Sequence, residues 1–337
     1  MSVGNSQEHP VLSIGSRLHF TSATAAQAQE LTFCRTNAVH FVEVGGSASE
    51  SIHISVIHRF CQAIDDAIAD QGPVPVMVCP ANDDSLPQAC LLFGAYLLLN
   101  RGRRVDDVVA TFEGNGLLDA AAEAGTVHSW RALEHARHAG WIAACNAGAD
   151  AALDMDMAGH YAAPANGGVH VVIPGRLLLL PTPRPLPADR PWADDVADGR
   201  PTARRFSAAF LADLLAEGLG ASAVVSVGRV GGSDAAAFRA RGLDVHDLAV
   251  DPRRPALLGP MDRLLALARA APGAVAVFGG GGCDDDDGKD ESGWPACIGV
   301  LAEALLMVEC GLDCGAAQAW LRMAAAPVGH SGGAAAD

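Results

Sequence analysis

The hydrophobic positions of the chain form short apolar runs and longer stretches with helical spacing, and the two kinds alternate along both halves. The runs at 74–79 and 274–278 predict buried strands, whereas apolar residues recurring every three or four positions predict a helix at 53–70. Each of the two strands is followed by a polar loop and then by an almost wholly apolar helix, at 88–100 and 297–309. Helices without a polar face are buried on all sides. Strand and helix repeats of this kind predict an α/β fold with parallel or mixed sheets covered by helices.

The length of 337 residues allows two domains of ordinary size, and the alternation of predicted strands and helices occurs in each half of the chain. We predict one domain at 11–150 and a second at 169–325, each a central mixed sheet flanked by helices. Between them, the small, acidic and glycine-rich residues 151–168 are interpreted as a linker. The polar start at 1–10 and the small-residue tail at 326–337 are expected to be disordered.

The second half contains two less regular segments before its main strands. The apolar stretch 169–180 is interrupted by Pro174-Gly175, which predicts two strands joined by a turn. The proline-rich and charged segment 181–201 is predicted to be an exposed loop, and 205–215 a helix. A further strand is predicted at 244–248.

The two strand–loop–helix segments have the layout of anion sites. In each, a helix N-terminus with free N–H groups follows the carboxyl end of a strand, where ligands bind in open α/β sheets. The loops, however, are acidic: Cys79 is followed by Asp83 and Asp84, and residues 279–293 carry six acids and one lysine, a net of −5. We therefore expect a phosphate group to be repelled from the second loop.

The net charge of −16 argues against binding to nucleic acid or to anionic membrane surfaces. No apolar run reaches the length of a membrane span, and the first ten residues lack the apolar core of a signal peptide. We therefore expect an intracellular protein, cytoplasmic or nuclear, although no basic cluster supports nuclear import. Nine cysteines without a CxxC pair indicate reduced core thiols, so neither a metal nor another cofactor is expected.

Seven segments spread over residues 11–325 match a known family in the right order. They are 16–20, 58–61, 89–99, 172–176, 238–248, 273–277 and 319–322. In these segments the chain resembles the cell-division-cycle-fourteen family of dual-specificity protein phosphatases, within the protein-tyrosine-phosphatase superfamily. The resemblance implies two tandem dual-specificity-phosphatase-like domains, of which only the second is catalytic and the first helps to shape the substrate groove.

The family signature is His-Cys, five residues, Arg, then Ser or Thr, and this chain departs from it. Phe278 and Gly279 occupy the His and Cys positions, and no arginine lies between Arg269 and Arg322. Cys283 is the candidate for a displaced nucleophile. It is followed after five residues by Lys289, so that the signature's spacing from cysteine to a basic residue is kept. Neighbouring carboxylates disfavour a thiolate, and lysine cannot grip phosphate bidentately as arginine does. A solvated insertion loop is the alternative interpretation of this segment.

The resemblance implies roles for residues outside the signature. Asp251 lies near the position of the family's general acid, although an Asp-Pro turn explains it equally well. Arg253 and Arg254 are candidates for contact with a phosphorylated partner. In the first domain, Asp83 and Asp84 are candidates for a substrate groove that favours basic peptides, the alternative being a solvated loop.

These observations predict a phosphatase-like protein that has lost its catalytic site and binds a protein or phosphoprotein partner. One alternative is an active cysteine-dependent phosphatase, which either uses Cys283 or carries a loop garbled by gene prediction. A second alternative is an acidic interaction protein without phosphate recognition.

Overall fold

The computed structural model describes residues 9–46, 51–119, 125–143, 152–183, 186–187, 190–197, 200–228, 232–250, 257–279 and 296–326. The chain forms two compact units. The first comprises Met1–Ser51 and Val56–Asp150, and the second comprises Ile52–Ser55 and Ala151–Asp337.

The first unit has a four-stranded mixed sheet in the order β1-β2-β4-β3. Strand β1 pairs with β2 antiparallel, and β4 pairs with β2 and β3 in parallel. The strands are β1 Val11–Ile14, β2 Leu18–Thr21, β3 His40–Val44 and β4 Val76–Pro80. The helices are α1 Ala25–Ala28, α2 Thr32–Thr36, α3 Ile54–Asp70, α4 Leu86–Leu99, α5 Val105–Gly114 and α6 Thr126–His138.

The second unit has a five-stranded mixed sheet in the order β10-β9-β11-β6-β5, with only β5 antiparallel to its neighbour. Its strands are β5 His170–Ile173, β6 Leu177–Leu179, β9 Ala221–Val227, β10 Asp244–Leu248 and β11 Ala274–Gly279. A separate hairpin pairs β7 Trp192–Ala197 with β8 Arg200–Phe206. The helices are α7 Met155–Ala162, α8 Ala208–Asp213, α9 Gly232–Ala240, α10 Leu258–Ala270, α11 Ala296–Cys310 and α12 Cys314–Ala325.

The predicted α/β class, with mixed sheets flanked by helices, is confirmed in both units. The buried strands predicted at 74–79 and 274–278 correspond to β4 and β11, whose residues are all buried. The apolar helix predicted at 88–100 is α4, and eleven of its residues are buried. Within the described ranges, no helix is long and apolar enough to cross a bilayer.

The hairpin corrects the prediction of an exposed loop at 181–201 and of a helix from residue 205. Arg204 forms a bidentate pair with Asp194 at 2.7 and 3.1 Å, and its guanidinium lies 5.4 Å from the ring centroid of Trp192. These cross-strand contacts stabilise the ribbon, so the chain stays extended to Phe206. The helix begins only at Ala208, after the Ser207 side chain accepts a hydrogen bond from the N–H of Phe210.

The range 151–168, predicted as a linker, contains helix α7 and a 3₁₀ turn at Pro164–Asn166. Asp154 caps the helix by accepting hydrogen bonds from the N–H groups of Asp156 and Met157, both at 3.0 Å. The boundary between the units falls at Asp150, and this helix is part of the second unit.

Candidate functional site

The loop between β4 and α4 in the first unit is closed by its own hydrogen bonds. Asn82 and Ser85 form a capping box, in which the Asn82 side chain accepts from the N–H of Ser85 and the Ser85 hydroxyl accepts from the N–H of Asn82, both at 3.1 Å. The N–H of Ala81 donates to the carbonyl of Val44, and the N–H of Leu86 donates to the loop itself. These donors are therefore not available to an anion, although the strand–loop–helix layout is present.

Cys79 lies near the end of β4, just before the loop that leads to α4. The side chain is fully buried, and its thiol lies 4.0 Å from the carbonyl oxygen of Val42. Burial, with smaller contributions from the nearby Glu43 and Cys34, raises the pKa of Cys79 to about 12. Glu43 is aligned with Cys79 on the neighbouring strand β3. At neutral pH Cys79 is a protonated thiol and not a nucleophile.

Asp83 and Asp84 lie exposed in the 3₁₀ turn that precedes α4. Carboxylates in the first turn of a helix interact favourably with its N-terminal dipole, which gives these residues a structural role. Their role in a substrate groove stays a prediction.

In the second unit, β11 ends with Phe278 and Gly279, the two residues that the sequence resemblance aligns with a His-Cys pair. Phe278 is 2% exposed, and its ring centroid lies 6.1 Å from that of Phe238. The carbonyl of Gly279 accepts a hydrogen bond from the Thr182 hydroxyl at 2.8 Å. These two positions therefore supply a buried aromatic ring and a hydrogen-bonded backbone, neither of which can attack phosphorus.

Ser226 is a polar residue at this end of the sheet that the sequence analysis did not single out. It lies on β9, aligned with Phe278 on β11 and with Asp247 on β10. The side chain is fully buried, and its hydroxyl oxygen has no hydrogen-bond partner among the described residues. A serine within an apolar strand gives no pattern that distinguishes it from a small core residue.

Five of the predicted site residues lie outside the described residues. They are Asp251, Arg253, Arg254, Cys283 and Lys289. Their proposed roles as general acid, phosphate contacts and displaced nucleophile therefore stay predictions.

The cysteines that the structure describes are free thiols, and several are strongly shielded. Burial raises the pKa of Cys90 to about 12 and that of Cys310 to about 11. Among the described residues, no group of three or more His, Cys, Asp or Glu side chains could hold a metal ion.

Of the comparisons with known proteins, only the one with solved structures gives a match. No family model matches the chain, and no curated protein matches it. Among solved structures, it is similar to one described as the crystal structure of Tk-PTP in the active form. The two are 16% identical, the match covers 48% of this chain and 86% of that one, and the TM-score is 0.28.

Proposed function

We propose that this protein is a phosphatase-like protein of the cell-division-cycle-fourteen type that binds a protein partner and does not hydrolyse phosphate esters. The ordered sequence segments support the family, and the two α/β units agree with its domain organisation. One observation carries the loss of activity: β11 ends in a buried Phe278 and in Gly279, where the family needs a histidine and a nucleophilic cysteine.

The first unit also supports the proposed lack of phosphatase activity. Its only strand-end thiol near a helix N-terminus in the described residues, Cys79, is fully buried beside Glu43. The loop that follows uses its N–H groups for the Asn82–Ser85 capping box. A site without a thiolate and with few free donors has neither the nucleophile nor the anion cradle of a phosphatase.

The proposed partner is a protein segment, and its charge follows from the acids of the first loop. Asp83 and Asp84 are exposed side by side, and a basic peptide would neutralise them. Arg253 and Arg254 are the proposed contacts for a phosphorylated side chain. Each pair is proposed by itself, the acidic pair for a basic segment and the arginine pair for a phosphorylated side chain.

Peptide binding tests this proposal. Basic peptides with and without one phosphoserine would be titrated into the full chain, and into Asp83→Asn/Asp84→Asn and Arg253→Ala/Arg254→Ala variants. The matched control is Asp106→Asn/Asp107→Asn, an exposed acidic pair in the first turn of α5. We expect each site variant to weaken binding about tenfold, a coupling of about 1.4 kcal/mol, and the control to leave it unchanged.

Two results would contradict the binding proposal. Equal loss in the control and in the Asp83/Asp84 variant would show that only net charge matters. Equal affinity for phosphorylated and unphosphorylated peptides would favour the alternative of an acidic interaction protein without phosphate recognition.

A further inference from the structure

The first turn of α3 is capped by a histidine ring. His53 immediately precedes the helix, and its Nδ1 accepts a hydrogen bond from the N–H of Ser55 at 3.1 Å. The Ser55 hydroxyl lies 2.7 Å from the same nitrogen. Helix caps are usually side-chain oxygens, which accept hydrogen bonds whatever the pH. A ring nitrogen accepts only while it is unprotonated, so this contact requires neutral His53 with its proton on Nε2.

The cap is buried within the second unit. His53 is 3% exposed and Ser55 is 4% exposed. Ser55 packs closely on Gly159 of α7, since a Cβ added to that glycine would come within 2.6 Å of the Ser55 hydroxyl oxygen. On β5, His170 is 5% exposed, and its ring centroid lies 6.4 Å from that of His53. Two imidazoles and a hydroxyl thus share one enclosed region.

Electrostatics at His170 disfavour a positive charge. Burial, with a smaller contribution from His53, lowers the pKa of His170 to about 3, although a hydrogen bond with the backbone of Ala324 opposes the shift. The other titratable side chains on α7 and α12 are exposed or half-exposed: Asp156, His160, Tyr161, Cys314 and Arg322.

We propose that His53, Ser55 and His170 form an acid-sensitive latch, which holds residues 52–55 against β5 and α7 of the same unit at neutral pH and releases them when the rings take up protons. A proton on Nδ1 of His53 would face the Ser55 N–H, so the cap would lose its acceptor. It would also place a charge beside the second ring. The inference is independent of the proposed function.

The sign of the pH dependence follows from the lowered pKa of His170. A histidine that is kept neutral in the closed state but titrates normally once released stabilises the closed state fully above about pH 6.5. That stabilisation is lost as the pH falls from 6.5 towards 3. Between pH 7.5 and pH 5.5, His170 alone would raise the opening constant about tenfold, and loss of the His53 cap would add to this rise.

Amide hydrogen exchange tests the latch. Exchange at residues 54–58 would be followed in the full chain from pH 7.5 to pH 5.5, after correction for the intrinsic pH dependence of exchange. The key variant is His53→Asn, because an asparagine oxygen caps the helix at any pH. The control is His160→Asn, an exposed histidine on α7 of the same unit.

We expect the wild type and the control to open well over tenfold more at pH 5.5 than at pH 7.5, and His53→Asn only about tenfold more, because His170 remains. An equal rise in the wild type and His53→Asn, or no rise in the wild type, would overturn the proposal. If His53→Asn does not fold, ¹⁵N NMR of the imidazole rings in the wild type tests the latch instead. The latch requires unprotonated Nδ1 on His53 at pH 7.5, and a proton on Nδ1 at that pH overturns it.

Discussion

Replacement of Gly94 by alanine tests how α4 and α6 pack in the first unit. Trp130 of α6 is fully buried, and its indole N–H donates to the carbonyl of Leu91 at 3.1 Å. A Cβ on Gly94 would come closer than 3.0 Å to three atoms of this indole ring. The ring cannot simply turn aside, because it also packs on Phe112 with the ring centroids 4.9 Å apart.

Three contributions determine how much Gly94→Ala changes the free energy of unfolding. Alanine in a helix interior is favoured over glycine by about 1 kcal/mol. Overpacking of a buried site costs about 1–3 kcal/mol. Loss of the Trp130 hydrogen bond, with a buried N–H left unpaired, costs about 1–3 kcal/mol more. We therefore expect Gly94→Ala to lower the free energy of unfolding by about 1–5 kcal/mol.

The assay is urea unfolding followed by circular dichroism and tryptophan fluorescence, with separate transitions fitted for the two units. The matched control is Gly114→Ala at the end of α5, where an added Cβ meets no atom within 4 Å. It should leave stability unchanged or raise it by up to about 1 kcal/mol. If Gly94→Ala is as stable as Gly114→Ala, the close packing of Trp130 on α4 is wrong.

Three further predictions follow from single side chains. Tyr96→Phe should lower the free energy of unfolding by about 1–2 kcal/mol in urea titrations, because the tyrosine hydroxyl donates to Asp65 at 2.6 Å; no loss would contradict that bond. Ser226→Ala should raise it by up to about 1 kcal/mol, because an unpaired buried hydroxyl is removed, and a clear loss would show that the hydroxyl has a partner. With iodoacetamide at pH 8, mass spectrometry should find exposed Cys314 alkylated and Cys79 unmodified until urea is added; rapid labelling of Cys79 would contradict its burial and raised pKa.

Elements with a local pattern of apolar residues could be predicted, whereas elements that depend on tertiary contacts could not. The helix at 53–70 carries apolar residues at helical spacing, and the structure has α3 at Ile54–Asp70. The strand predicted at 244–248 is β10 at Asp244–Leu248. The β7–β8 hairpin was missed because prolines and charges dominate its sequence. It depends on cross-strand pairs such as Arg204 with Asp194, which single-residue preferences do not show.

Some features of the candidate site could be predicted from the sequence, and others could not. That Phe278 and Gly279 end the strand, with no cysteine at either position, could be predicted directly, because it is a property of the sequence. The state of Cys79 could not, because it depends on burial and on Glu43, which lies 36 positions earlier in the chain and is aligned with it on β3. The unpaired hydroxyl of Ser226 is likewise visible only once β9 lies between β10 and β11.

Transcript sequencing across residues 277–299 bears on the alternative of a garbled gene model. A messenger RNA that encodes the glycine and aspartate run would support a genuine insertion. One that encodes His-Cys, five residues and Arg after β11 would restore the active-phosphatase alternative.

Hydrolysis of a small aryl phosphate by the purified full chain tests the central claim most directly. The wild type would be compared with Cys283→Ser, at enzyme concentrations high enough to detect a single turnover. Because Phe278 and Gly279 leave no nucleophile at the end of β11, we predict no release of the aryl alcohol above background and no difference between the two proteins. Turnover that disappears in Cys283→Ser would contradict the account and identify an active phosphatase.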